Sequence, residues 1–85
     1  MTRRVDLQGA KWMKTRPQTY TGSSGEKEPS SFYLGNQLVD VLEILDQWKA
    51  DYRYFKVKAR GQKLYVLRHA SATDTWDVAP FGPQR

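Results

Sequence analysis

Eighty-five residues without a cysteine suffice for one small domain, which neither a disulfide nor a thiolate-bound metal can stabilise. The sequence also lacks the run of about twenty apolar residues that a membrane-spanning helix needs. Fourteen Lys and Arg against nine Asp and Glu give a net charge of +5, which favours a polyanionic partner without requiring one.

The N-terminal segment, residues 1–17, is predicted to be a basic arm that is only partly ordered. No hydrophobic period runs through it. Its positive charge is not followed by an apolar run, so we expect no signal peptide and a cytoplasmic protein of a bacterium or archaeon. Trp12 is expected to dock on the domain. The cations of the arm are Arg3, Arg4, Lys11, Lys14 and Arg16.

The rest of the chain is predicted to be a single β-rich domain, residues 18–81, followed by a short tail, residues 82–85. Thr and Tyr residues favour a short strand within 15–21. Residues 22–31 consist of Gly, Ser, Glu, Lys and Pro, a composition that predicts a flexible loop.

Residues 32–50 begin with a hairpin pattern and continue with an ambiguous one. The dipeptide Gly35-Asn36 suits a tight turn because both residue types tolerate positive φ. Apolar residues then recur at helical spacing, at positions 38, 41, 42, 45 and 48. We predict a strand at 37–41 and a short helix at 42–50, with a helix beginning at residue 37 as the alternative.

Residues 52–69 predict a hairpin, called the basic hairpin below. A two-residue turn at Gly61-Gln62 would pair Ala59 with Leu64 and Val57 with Val66 on an apolar face. The opposite face is expected to carry the cations together with Tyr54, Tyr65, Leu67 and His69. Since residues 52–73 hold six cations and no acid, whereas residues 36–51 hold four acids and one cation, we expect an electrically two-sided molecule.

The last strand is predicted at 75–79, with Trp76 and Val78 inward, before Pro80 and Pro83 end regular structure. The fold class is therefore mainly β, with α+β as an option. We expect a small antiparallel barrel-like or curled sheet of five to six strands with one short helix.

Residues that could carry catalysis are few. His69, Ser71 and Asp74 lie on one short turn, where Ser and Asp ordinarily serve turn hydrogen bonds, so we expect no enzyme. One imidazole without thiolates predicts no metal site, and no cofactor motif is present. The acids between residues 40 and 51 are interpreted as the solvated face of the predicted helix.

Four sequence patterns occur together between residues 41 and 76: residues 41–48 read Val-Leu-Glu-Ile-Leu-Asp-Gln-Trp, residues 54–57 read Tyr-Phe-Lys-Val, residues 64–67 read Leu-Tyr-Val-Leu, and Trp76 closes the set. Together they resemble a group of small uncharacterised bacterial domains. The resemblance covers about fifty residues, from Phe32 to Phe81. Some members accompany components of error-prone DNA synthesis, so the resemblance implies a nucleic-acid context. The group has no established activity and offers no functional residues to transfer.

The basic hairpin is the candidate binding surface, because cations that meet phosphates and aromatic rings that stack on bases are typical of single-strand-binding proteins. We expect a small binding module, with nucleic acid as the leading partner. The alternative is a protein-interaction or homodimerisation module that uses the apolar stripe or a strand edge. The candidate nucleic-acid-binding residues are Arg16, Tyr54, Lys56, Lys58, Arg60, Lys63 and Tyr65.

Overall fold

The computed structural model describes residues 9–23 and 25–81, and every regular element in them is a β-strand. None of these residues forms a helix that could cross a membrane. The predicted tail and the first part of the predicted basic arm lie outside the described residues. The strands are β1 Met13–Thr15, β2 Gln18–Thr21, β3 Lys27–Leu34, β4 Gln37–Lys49, β5 Arg53–Ala59, β6 Lys63–Ala70 and β7 Thr75–Pro80.

The seven strands form one antiparallel sheet in the order β1-β7-β6-β5-β4-β3-β2. Strands β1 and β2 lie at opposite ends of this order, although only Arg16 and Pro17 separate them in the chain. The sheet must therefore curl, and the curl brings Thr15 of β1 next to Tyr33 of β3. Thr15 Oγ1 donates to the carbonyl of Tyr33 at 2.7 Å and accepts from the Tyr33 N–H at 2.9 Å. The result is a curled half-barrel.

Mainly β is therefore confirmed, while the count of five to six strands is wrong. One reason is the segment 22–31, which is only partly a loop because β3 begins at Lys27. Pro29 is fully buried and Ser31 nearly so. Another reason is β1, which lies inside the segment predicted as an arm and pairs with β7, so that Met13 is opposite Val78.

The predicted helix at 42–50 is wrong, because β4 runs without interruption from Gln37 to Lys49. The ladder between β4 and β5 shifts register between Val41 and Glu43 and again between Ile44 and Asp46. Each shift inserts one extra residue in β4, Leu42 at the first and Leu45 at the second. Leu38, Leu42 and Leu45 are exposed, whereas Val39, Val41 and Ile44 are partly buried against the core. The apolar residues at helical spacing therefore do not form one buried face.

The turn predicted at Gly35-Asn36 is confirmed. Leu34 pairs with Gln37, and Gly35 has a φ of 62°, a conformation in which a side chain would be strained.

The turn of the basic hairpin differs from the predicted one. A two-residue turn at 61–62 would have paired Ala59 with Leu64, but Ala59 pairs with Lys63 across a three-residue loop. The N–H of Gln62 donates to the carbonyl of Ala59 at 3.0 Å, and Gln62 itself has a φ of 66°. The register is therefore displaced by one residue.

That displacement exchanges the two faces of β6. Tyr65 and Leu67 lie on the core side with Phe55 and Val57, whereas the prediction placed Leu64 and Val66 there. A one-residue slip always moves a whole strand face in this way. The prediction for β7 is confirmed, since Trp76 and Val78 are both in the core. The buried core residues are Phe32, Phe55, Val57, Ala59, Tyr65, Leu67, Trp76 and Val78.

Candidate nucleic-acid interface

The cations of the basic hairpin lie beside the acids of β4. Lys58 Nζ is 3.7 Å from Glu43 Oε1, and Arg60 Nη2 is 3.2 Å from Asp40 Oδ2. Lys56 is the direct cross-strand partner of Asp46. The acids interpreted as the solvated face of a helix are therefore cross-strand neighbours of the cations, and the molecule is not divided into an acidic and a basic side as predicted.

The remaining hairpin cations, Lys56 and Lys63, have different surroundings. Lys56 Nζ lies 4.4 Å above the centre of the Phe81 ring, which covers part of the ammonium group. Lys63 is exposed at the end of the hairpin, where it lines a depression together with Arg60 and Leu38. Of the four hairpin candidates, Lys63 alone has no ion pair, cation–π contact or acidic cross-strand partner within the described residues.

The two candidate tyrosines of the hairpin are both buried, each with 8% of its surface exposed. Tyr65 packs edge-on against Phe32, with ring centroids 5.2 Å apart, so it offers no face to a base. Tyr54 is stacked against Trp48 at 5.1 Å. The placement of Tyr65 on the solvent side, which followed from the predicted register, is wrong.

The hydroxyl of Tyr54 donates to Asp51 Oδ1 at 3.0 Å. Burial, this hydrogen bond and the negative charge of Asp51 raise the pKa of Tyr54 above its usual 10.0. The hydroxyl is thus held neutral as part of the packing of this face, and both candidate tyrosines have structural contacts.

A second basic region lies between β1 and the β3–β4 turn, and we call it the basic groove. It has a volume of about 630 Å³, and none of the described residues that line it is acidic. Lys14 and Arg16 are exposed, and neither has an ion-pair partner within residues 9–23 and 25–81. Its lining residues are Lys14, Thr15, Arg16, Tyr33, Gly35 and Asn36.

Hydrogen bonds of the Thr15 hydroxyl fix the position of this groove. Thr15, between the two cations in sequence, is held to β3 by its two hydrogen bonds to Tyr33. Tyr33 precedes the tight turn and has 38% of its surface exposed. Asp77 is the cross-strand partner of Lys14, but its carboxylate binds Arg68 at 3.0 Å. Among the described residues, Lys14 therefore has no carboxylate that forms an ion pair with it.

Arg68 also anchors the N-terminal segment, as expected for a docked Trp12. Its guanidinium carbon lies 4.2 Å from the centre of the Trp12 ring and 4.5 Å from that of Tyr52. The guanidinium is sandwiched between two rings while it binds Asp77. This contact holds β1, and with it Lys14, against β7.

The structure brings only Arg16 of the seven predicted site residues into the basic groove. Lys14 and Tyr33 were missed as site residues. Strand alternation could have identified Tyr33, because Phe32 and Leu34 on either side of it point to the core and leave Tyr33 outward. Nothing in the sequence brings β1 beside β3, since that contact depends on the curl of the whole sheet.

His69 and Asp74 do meet, with Nε2 and Oδ1 2.9 Å apart, and the His69 ring stacks on Trp76 at 4.3 Å. Asp74 has a φ of 53°, which is the conformation of a tight turn. The contact fits a turn hydrogen bond. Within the described residues, no three His, Asp or Glu side chains form a potential metal-binding group.

Comparison with protein-family models, with curated proteins and with solved structures finds no match for this chain.

Proposed function

We propose that this chain is a non-enzymatic module that binds single-stranded nucleic acid through the basic groove. The observation that carries the proposal is the composition of the groove. Two exposed cations, Lys14 and Arg16, share it with the half-exposed ring of Tyr33, and the part of the chain that the structure describes places no carboxylate in its lining.

Each group has a defined part in this proposal. Lys14 and Arg16 would contact successive phosphates, which supplies affinity without sequence preference. Tyr33 would stack on an unpaired base, and the amide of Asn36 could hydrogen-bond to a base edge. A single aromatic ring in a groove of this size suits one splayed base better than a duplex, whose bases are stacked and paired.

The basic hairpin has a smaller part than the sequence suggests. Lys58 and Arg60 have carboxylate neighbours, Lys56 faces Asp46 and Phe81, and Tyr65 is in the core. Lys63 stays available as a peripheral phosphate contact. The neighbouring carboxylates reduce the positive potential of these cations. Salt then screens what is left of it beyond a Debye length of about 8–10 Å.

The test is a fluorescence-anisotropy titration with a labelled oligothymidylate, its RNA counterpart and a duplex of equal length. Two double variants form a matched pair, K14Q/R16Q and K58Q/R60Q, because each removes one Lys and one Arg. We expect micromolar binding of the single strands. We also expect K14Q/R16Q to lose about ten- to thirty-fold, from two charge-assisted contacts worth roughly 1 kcal/mol each.

The K58Q/R60Q variant should lose less affinity than K14Q/R16Q, at most about two- to five-fold, because its cations are paired with Glu43 and Asp40 and their removal only leaves those carboxylates uncompensated. No binding at low salt would reject the proposal. An equal loss in the two variants would reject the groove as the site. A protein-interaction or self-association module is the second candidate, and a cleft beside β4 favours it.

A further inference from the structure

The second half of β4 has a backbone partner on one side only. The ladder between β3 and β4 runs from the pair Leu34–Gln37 to the pair Ser31–Asp40 and ends there. From Val41 onward, β4 pairs with β5. Across 41–45, the described residues supply no backbone hydrogen-bond partner on the β3 side.

The sequence explains why the ladder ends at this point. If its register continued, Pro29 would stand opposite Leu42, and proline has no N–H to donate. The next pair would place Glu28 opposite Glu43, and like charges directly opposite each other destabilise a sheet. The bulge between Val41 and Glu43 turns β4 away at the same place.

A cleft of about 340 Å³ therefore separates the first half of β3 from the second half of β4, and we call it the β4 cleft. Its apolar members include Val41 and Ile44, and Leu42 has 53% of its surface exposed. Of the described residues that line it, Glu28 and Glu43 are the charged ones. The lining residues are Tyr20, Glu28, Pro29, Ser30, Val41, Leu42, Glu43, Ile44 and Gln47.

We propose that the β4 cleft binds an extended segment of a partner protein in which basic and apolar side chains alternate. The segment would pair with the free backbone edge of β4 across 41–45, as in other cases of strand addition. Its apolar side chains would contact Leu42 and Ile44. Its cation would contact the carboxylates of Glu28 and Glu43, which line the cleft from β3 and β4.

Charge complementarity selects this occupant. Nucleic acid would meet two carboxylates here, so the cleft does not duplicate the basic groove, and neither proposal depends on the other. Glu28 accepts a hydrogen bond from the Tyr20 hydroxyl at 3.0 Å, which raises the pKa of that tyrosine and fixes the direction of the carboxylate. Glu43 is shared with Lys58 across the β4–β5 ladder at 3.7 Å.

The experiment uses the full chain and a fluorescein-labelled peptide, Gly-Val-Lys-Val-Arg-Val-Gly. Three comparisons are made by anisotropy and by amide chemical shifts. The first is the same peptide with methylated backbone nitrogens, which cannot form a ladder. The second is the peptide with Glu in place of Lys and Arg. The third is E43Q against D40N, which each remove one carboxylate beside a hairpin cation, but only Glu43 lines the cleft.

We expect the plain peptide to bind and to shift the amides of 41–45. Methylation should abolish binding, and E43Q should weaken it about two- to five-fold while D40N leaves it unchanged. Equal binding of the plain and methylated peptides, or no binding, would overturn the proposal. A dimer in sedimentation that L42K converts to monomer would also overturn it, because the occupant would then be a second copy.

Discussion

In the basic hairpin, Lys58 and Arg60 lie 3.7 and 3.2 Å from carboxylates of the neighbouring strand. In the basic groove, Lys14 and Arg16 share a surface to which residues 9–23 and 25–81 contribute no acidic side chain. In sequence the hairpin is the stronger candidate, because it joins six cations in a stretch without acids. In the structure the basic groove is the stronger candidate.

The comparison shows that the charge of a strand face depends on the neighbouring strand as much as on the strand itself. The acids of β4 and the cations of β5 are about fifteen residues apart in sequence and become directly opposed when the strands pair. These exposed ion pairs contribute at most about 1 kcal/mol each to stability. Their larger effect is on the positive local potential, which each neighbouring carboxylate lowers.

The sharpest way to test this contrast is to truncate one tyrosine in each region. Tyr65→Ala should destabilise the fold by about 3–5 kcal/mol, because it removes a buried ring packed on Phe32. Tyr33→Ala should cost far less stability but should weaken oligothymidylate binding about five-fold or more, since base stacking contributes roughly 1–3 kcal/mol. Urea denaturation and anisotropy measure the two effects.

Phenylalanine is the control at both positions. It keeps each ring, so Tyr33→Phe should retain binding and Tyr65→Phe should retain most of the stability. If Tyr33→Ala bound as well as the unaltered chain, the groove would lose its aromatic contact and the contrast would fail.

Removing the acids should reveal the cations of the hairpin. In a D40N/E43Q variant, Lys58 and Arg60 lose their carboxylate neighbours, so we expect oligothymidylate affinity to rise about two- to five-fold. The increase should disappear when K58Q/R60Q is added to the same chain. Unchanged affinity in D40N/E43Q would mean that ion pairing is not what keeps the hairpin from binding oligothymidylate.

The smallest expected effect is at high pH and concerns Tyr54. Its pKa in the folded chain is raised above 10.0 by burial and by Asp51, so the unfolded chain loses this proton first. The stability that this shift supplies is complete below pH 10 and is lost as the pH rises through the folded pKa. Tyr54→Phe, which has no proton to lose, should flatten this part of the stability–pH curve measured by denaturation. An unchanged slope would contradict the assignment.

The parts of the fold that could be predicted are those fixed by local chemistry. Gly35-Asn36 predicted its turn, and the alternation around Trp76 and Val78 predicted the inward face of β7. The helix prediction for β4 failed because three of the apolar residues at helical spacing, Leu38, Leu42 and Leu45, are exposed, the last two as the extra residues of bulges. The hairpin register failed because the loop holds one residue more than a two-residue turn, which moved Tyr65 into the core.

The site was less predictable than the fold for a related reason. Arg16 was identified from charge alone, and Lys14 lies two positions before it, but Tyr33 joins them only when the sheet curls and Thr15 bonds to Tyr33. Such a contact joins residues eighteen positions apart without any sequence pattern to mark it. A count of charged residues in successive windows of the sequence selects the basic hairpin instead of the basic groove.

The most direct test of the central claim is the salt dependence of oligothymidylate binding in the matched pair of variants. Each phosphate contact on a single strand contributes about 0.7 to the slope of log K against log salt concentration. K14Q/R16Q should therefore lower the magnitude of the slope by about 1.4, while K58Q/R60Q leaves it nearly unchanged. A slope that falls only in K58Q/R60Q would contradict the account and return the binding surface to the hairpin.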